Sequence, residues 1–75
     1  MPAISLLTDF GLKDNFVGVI KAVILKINPK ATIIDICHGV RPQDILEAAF
    51  LLESSFRYFP IRSIHLVVVD PGVGT

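Results

Sequence analysis

Tryptophan is absent from this chain, and cysteine, methionine and tyrosine occur once each. A single cysteine, Cys37, excludes an internal disulfide, so a sulfur-bridged miniature scaffold is ruled out. It lies among Ile33, Ile34 and Ile36, and it reads either as a buried strand residue or as a reactive or ligand thiol. An excess of one charge is missing too: seven basic and seven acidic residues give a formal net charge of zero. The basic residues are scattered, so nothing resembles the electrostatic footprint of a nucleic-acid binder, and no nucleic-acid partner is expected. Apolar runs of membrane-spanning length are lacking, and the longest, such as residues 66–69, are strand-sized; no membrane partner is expected. Residues 1–7 have no basic start, extended apolar core or small-residue cleavage site, which speaks against a secretory signal and makes the cytoplasm the expected location.

Several motifs that carry chemistry are also missing. No G-x-G-x-x-G follows the first apolar run, which removes the dinucleotide fingerprint, and there is no Walker loop with its Lys-Ser/Thr. No G-x-S-x-G nucleophile elbow occurs. One cysteine and two distant histidines offer no metal-ligand spacing, so no metal site is expected. Asp9-Phe10-Gly11 spells the magnesium-binding tripeptide of kinases, but only eight residues precede it, where a kinase needs a whole lobe and a catalytic loop.

What is present is apolar. The 75 residues are 52% hydrophobic and 19% charged, with a mean hydropathy of +0.66. That is too apolar for a disordered segment and enough for one small domain near the lower size limit. So much apolar content in so short a chain implies burial against something else. The sequence also stops at Pro71-Gly72-Val73-Gly74-Thr75, directly after a strong strand signal, and residues 1–75 therefore read as a fragment.

The pattern alternates strand and helix, which argues for a parallel sheet with crossover helices. Residues 3–8 form the first expected strand. Asp14 and Asn15 are both suited to cap a helix, after which Phe16, Val19, Ile20, Val23, Ile24 and Ile27 recur at helical spacing as one apolar face. Asn28-Pro29 ends that helix. Residues 31–37, rich in isoleucine, form the second expected strand. Asp44 and Glu47 stand at capping-box spacing, and Ile45, Ala48, Ala49, Leu52 and Phe56 share one side of the helix they open, which frays near Tyr58 before Pro60. Residues 63–69 make the third strand, with the continuous apolar centre of one buried on both faces. The expected fold is an α/β, Rossmann-like β-α-β-α-β parallel three-layer core, truncated, with right-handed crossovers.

Ligands of open parallel sheets bind beyond the carboxyl ends of the strands. That rule selects Asp9, His38 and Asp70. Asp9 is followed by Phe10-Gly11 and Asp70 by Pro71-Gly72, and glycine beside a strand-end carboxylate lets backbone N–H groups approach a ligand. Each feature has a plainer alternative. Asp9 and Asp70 are equally readable as turn formers, and Asp14 as a helix cap. His38 reads first as a hydrogen-bonded loop or core residue and His65 as structural. Asp35 is expected to make a sheet-edge or helix-facing contact, and Lys21, Lys26 and Lys30 to form a solvated helix face.

Taken together, an ordered series of blocks resembles one family. Leu6-Leu7-Thr8-Asp9-Phe10-Gly11, Asp14, Val17-Gly18-Val19-Ile20-Lys21 and Ile27-Asn28-Pro29 are similar to the start of the S-adenosylmethionine hydroxide adenosyltransferases. So are Asp35-Ile36-Cys37-His38, the run Pro42-Gln43-Asp44-Ile45-Leu46-Glu47-Ala48-Ala49, and Val67-Val68-Val69-Asp70-Pro71-Gly72-Val73-Gly74-Thr75. The resemblance covers essentially the whole chain and extends to the related fluorinase and chlorinase. It implies displacement of L-methionine from the 5′ carbon of S-adenosylmethionine, by water or hydroxide in the hydrolytic branch and by halide in the other. It implies that Asp9 grips the ribose hydroxyls, that Asp14 lies near the methionine amino group, and that Phe10, Gly11 and Gln43 complete the substrate-binding set. Asp70 matches the acid of a water-activating Asp–Arg–His set whose other members fall beyond Thr75. It further implies a substrate but no cofactor, and a homotrimer with a second, β-rich domain absent from these residues. The fluorinase has Tyr-Pro-Ala-Thr in place of Asp70-Pro71-Gly72-Val73 and tryptophan in place of Gln43. An acid at the nucleophile pocket repels halide and orients water, which favours hydrolysis. From a different class, a non-catalytic small-ligand or interaction module on the same core stands as the alternative.

Overall fold

The computed structural model describes residues 3–69. Its elements run β1 (Ala3–Thr8), α1 (Phe16–Ile27), β2 (Thr32–Cys37), α2 (Ile45–Ser55), a 3-10 turn (Phe56–Tyr58) and β3 (Ile64–Val68). Both β2 and β3 pair in parallel with β1, in the order β2-β1-β3. The α/β class and the parallel three-stranded core match the expectation from the sequence.

Strand ends differ from expectation by a residue, because turns claim the flanking amides. Ala31 N–H donates to Asn28 O at 3.0 Å, so β2 begins at Thr32 and not at Ala31. Ser63 donates to Pro60 O from its amide (3.1 Å) and from its hydroxyl (2.6 Å), which delays β3 to Ile64. Asn28 closes α1 through its amide to Ile24 O. Asp44 caps α2 by accepting Glu47 N–H at 2.9 Å, as its spacing predicts. Glu47 does not reach back to Asp44 N–H, because Arg41 O already accepts that amide; its Oε1 accepts Arg41 N–H at 2.6 Å instead.

Period-two alternation in β1 decides which helix covers which face. Leu7 packs with Val40 and Ala48, joined by Ile36, Leu51, Leu52 and Val69, so α2 covers the Leu7 face. Asp35, the register partner of Leu6, is held by Lys21 of α1. The two helices therefore lie on opposite faces, and β1 is covered on both: Leu6 and Leu7 are fully buried. Ser5 and Thr8 are buried too and satisfy their hydroxyls on histidines, Ser5 on His65 at 2.6 Å and Thr8 on His38 at 2.7 Å. His65 also meets the Phe59 ring edge-on, in keeping with its structural reading.

Neither helix buries quite the face its spacing suggests. On α1 the inward residues are Val17, Ile20, Lys21 and Ile24, while Phe16, Val19, Val23 and Ile27 are exposed. The apolar arc is wider than one helix can bury on a three-stranded sheet. On α2 Ala48 is buried and Leu51, Leu52 and Ser55 are half-buried, while Ile45 and Ala49 remain exposed beside an open groove against Val67 and Val69, and Phe56 is exposed.

Candidate functional site

The strand order locates the site. After β1 the chain lays β2 on one side, and after β2 it crosses to the other side of β1 to lay β3. The carboxyl ends of β1 and β3 thus flank a topological switch point, where open α/β sheets bind ligands. Asp9 leaves β1 there, and its amide donates to Val68 O at 3.4 Å. Asp70 and the following Pro71-Gly72 corner lie outside the described residues.

The corner at residues 9–11 is shaped by its own backbone. Gly11 has φ 73°, a left-handed conformation that costs a side-chain-bearing residue about 1 kcal/mol or more. Its N–H donates to His38 O at 2.8 Å, which ties the corner to the end of β2. Gln43 sits at φ 66° without the glycine exemption, and its N–H donates to Asp9 Oδ2 at 3.1 Å. Strained backbone of this kind concentrates at ligand sites. The Phe10 ring stacks at a tilt on Phe16, with centroids 5.6 Å apart, and Asp14 Oδ1 accepts Phe16 N–H at 3.2 Å. Asp9, Phe10, Gly11 and Gln43 are thus brought together, and Asp14 joins them through Phe16 at the start of α1. Asp14 acts on the helix end, whereas Asn15, at the N-cap position, makes no side-chain cap bond.

Sequence reasoning missed a polar line beneath this corner. His38 is buried, with Nδ1 2.7 Å from Thr8 Oγ1 and Nε2 2.9 Å from Asp35 Oδ1. Lys21 is not merely solvated, since its Nζ lies 2.7 Å from Asp35 Oδ2. Thr8 was passed over because a threonine inside an apolar run reads as a strand former. Asp35 does make the helix-facing contact expected of it. Cys37 is half-buried, and its Sγ accepts Gly39 N–H at 3.2 Å. Among the described residues no three of His, Cys, Asp and Glu converge as metal ligands.

Burial pushes the Asp35 carboxyl upward, but the hydrogen bonds from Lys21 and His38, with the Lys21 charge beside them, outweigh it and hold the group below its ordinary value. A carboxylate with a lowered folded-state pKa contributes stability in full above its unfolded pKa and loses it as pH falls through the folded value. Asp35→Asn is therefore expected to cost up to about 1 kcal/mol at neutral pH, a modest figure because water screens a half-exposed pair. The difference from the parent should begin to shrink as pH falls below the ordinary aspartate pKa of about 3.9 and vanish only below the lowered folded-state value. Denaturant titrations of both proteins across that range check it, and a gap that persists undiminished in acid contradicts the charge-based account.

An apolar groove of about 340 Å³ lies on the α2 face, lined by Ile45, Ala48, Ala49, Leu52, Val67 and Val69. It offers no polar side chain to orient a ligand, so the acid-and-glycine corner is the better candidate.

An open parallel sheet with such a corner at its switch point is an α/β arrangement of the kind in which ligands bind beyond the carboxyl ends of the strands. Comparison with known proteins narrows this. Residues 4–75 match the model of the SAM hydroxide adenosyltransferase N-terminal domain, and the chain belongs to that family. An (R)-S-adenosyl-L-methionine hydrolase of Thermus thermophilus is 43% identical over 75 residues, covering 100% of this chain and 29% of the relative. A fluorinase of Nocardia brasiliensis is 34% identical over 74 residues, covering 99% of this chain and 25% of the relative. The crystal structure of an uncharacterized conserved protein from Thermotoga maritima superposes with a TM-score of 0.89 at 53% identity, covering 96% of this chain and 28% of that one. The chain thus spans under a third of the length of these relatives, and the family read from its motifs is borne out.

Proposed function

We infer that these residues form the amino-terminal α/β part of an enzyme that cleaves S-adenosylmethionine with water or hydroxide to give adenosine and L-methionine. The observation that carries the reading is the corner where Asp9, Phe10, Gly11 and Gln43 meet at the β1 switch point, in a chain 43% identical to a named hydrolase. In this reading the Asp9 carboxylate accepts hydrogen bonds from the ribose diol, Asp14 faces the methionine ammonium, and Asp70 orients the attacking water. The water oxygen bonds to C5′ as the C5′–S bond breaks, the bonding pair leaves with sulfur as the neutral thioether of methionine, and the proton shed by the water passes to bulk solvent. The sulfonium is already a good leaving group, so alignment and desolvation of the nucleophile are the protein's main tasks. The reading includes no cofactor, a homotrimer, and a β-rich second domain closing over the adenine, in the cytoplasm. Among the described residues no helix is long and apolar enough to cross a membrane.

Water is favoured over halide because Asp70 stands where the fluorinase carries tyrosine, and a carboxylate there repels an anion. A full-length protein carrying these residues is expected to release equimolar adenosine and methionine from S-adenosylmethionine, undiminished by chelator. Chromatography of the reaction with chloride and fluoride present is the test. A 5′-halogenated nucleoside as the main product, or turnover abolished by chelation, contradicts the proposal.

A further inference from the structure

Beneath the corner at residues 9–11 runs a line of side chains that the proposed chemistry leaves unused. Lys21 Nζ donates to Asp35 Oδ2, and Asp35 Oδ1 lies 2.9 Å from His38 Nε2. An ionised carboxylate only accepts, so Nε2 of His38 carries the hydrogen. In the neutral ring Nδ1 is then a lone pair, and the Thr8 hydroxyl must donate to it across 2.7 Å. Thr8 Oγ1 in turn accepts Phe10 N–H at 3.3 Å, while His38 O accepts Gly11 N–H at 2.8 Å. One buried histidine therefore holds the corner twice, through Thr8 to Phe10 and through its own carbonyl to Gly11. Asp9 is bracketed by the Thr8–Phe10 bond, with the Gly11 anchor directly following.

The burial of these groups makes the arrangement demanding. Thr8 is fully enclosed and His38 is 7% exposed. Buried polar groups are tolerated only when hydrogen-bonded. A valine would fill the Thr8 site equally well by shape, but it would leave both His38 Nδ1 and Phe10 N–H without their partner. The hydroxyl is therefore there to donate to His38 and to accept from Phe10, not for its volume.

We propose that Thr8 and His38, oriented by Asp35 and Lys21, are positioning residues that set the conformation of the corner at residues 9–11 and with it the affinity of Asp9 for a ribose diol. The ligand part of this inference rests on the function proposed above; the conformational part does not. Because the corner contributes binding that is the same in ground and transition states, the network acts on affinity and leaves the chemical step nearly untouched.

The test uses a full-length protein with Thr8→Val and Thr8→Ser. Thr8→Val is expected to raise the Kd for S-adenosylmethionine about tenfold, the shift that follows when re-forming the corner on binding costs as much as orphaning a buried hydrogen-bonding group costs a fold. Its kcat at saturation should stay within about threefold of the parent. Thr8→Ser keeps the hydroxyl and should restore affinity to within about twofold. Two ligand-free measurements accompany these. Ring-nitrogen NMR should find His38 with its hydrogen on Nε2, and hydrogen exchange at the Phe10 and Gly11 amides should quicken in Thr8→Val but not in Thr8→Ser. Equal losses of affinity in the two variants overturn the proposal, as does a Thr8→Val protein that binds like the parent. So does a His38 hydrogen on Nδ1, or unaltered amide exchange in Thr8→Val. Should the parent bind no S-adenosylmethionine, the proposed function fails, and the tautomer and exchange data alone decide the role of Thr8 and His38.

Discussion

Asp9→Ala in a full-length protein is expected to raise the Kd for S-adenosylmethionine by about 10²-fold or more, because two hydrogen bonds to a charged acceptor are lost at about 1.5–3 kcal/mol each. Under the proposed function Asp9 contacts ribose hydroxyls that do not change charge as C5′–S breaks, so its contribution would be uniform binding and kcat should fall far less than affinity. The substitution also removes the acceptor of Gln43 N–H, which holds a left-handed residue in place. Asp9→Asn keeps an oxygen for that amide but not the charge, and it should fall between parent and alanine variant. Asp70→Ala is expected to show the opposite split, lowering kcat by about 10²-fold or more with little change in Kd, since a water-orienting acid acts as the bond forms. Calorimetric Kd values set beside saturated turnover separate the two. Should Asp9→Ala bind like the parent, the corner is a turn and not a ligand site.

Leu7→Ala should destabilise the protein by about 3–5 kcal/mol, the upper part of the range for leucine truncation in a closely packed core. Leu7 is fully buried at the centre of the cluster that joins β1 to α2, against Val40 and Ala48 with Leu51 and Leu52 around them. On the central strand it has a neighbour on either side as well as a helix above, so little can collapse into the space. That loss is a large share of the 5–15 kcal/mol by which folded domains are stable. Leu46→Ala is the control: Leu46 is 84% exposed on the outer side of α2 and should change stability by no more than about 0.5 kcal/mol. Denaturant unfolding of the two variants tests the contrast, and equal losses would mean that the cluster around Leu7 is not the core.

The sequence by itself determined the elements and which residue types stand at their ends. Apolar runs bounded by proline and glycine mark the strands, Asn28-Pro29 must stop a helix, and Asp44 must start one, because each rests on local sterics or a local hydrogen bond. The family was legible for the same reason: its motifs lie in strand-end corners, where a particular residue type is needed at a particular place. Asp9 and Gly11 are legible as a strand-end corner, while Phe10 and Gln43 enter as candidates only through the family resemblance. Their meeting is not legible, since Gln43 N–H reaches Asp9 across 34 positions of sequence.

Tertiary structure alone decided the rest. Both crossovers are compatible with either side of β1, and only the assembled sheet shows that β2 and β3 flank it, which turns the end of β1 into a switch point. How much of each apolar helix face is covered is not legible either, because spacing reports which side chains are apolar, whereas a three-stranded sheet limits how wide an arc it can cover. The line from Lys21 through Asp35 and His38 to Thr8 was invisible for a further reason. Its four members come from three elements and the loop after β2, and each in isolation has an ordinary role as surface lysine, strand aspartate, loop histidine or strand threonine. Parallel register brings Asp35 beside Leu6 and carries β2 to its end next to Thr8, and the enclosed setting then requires every polar atom to find a partner.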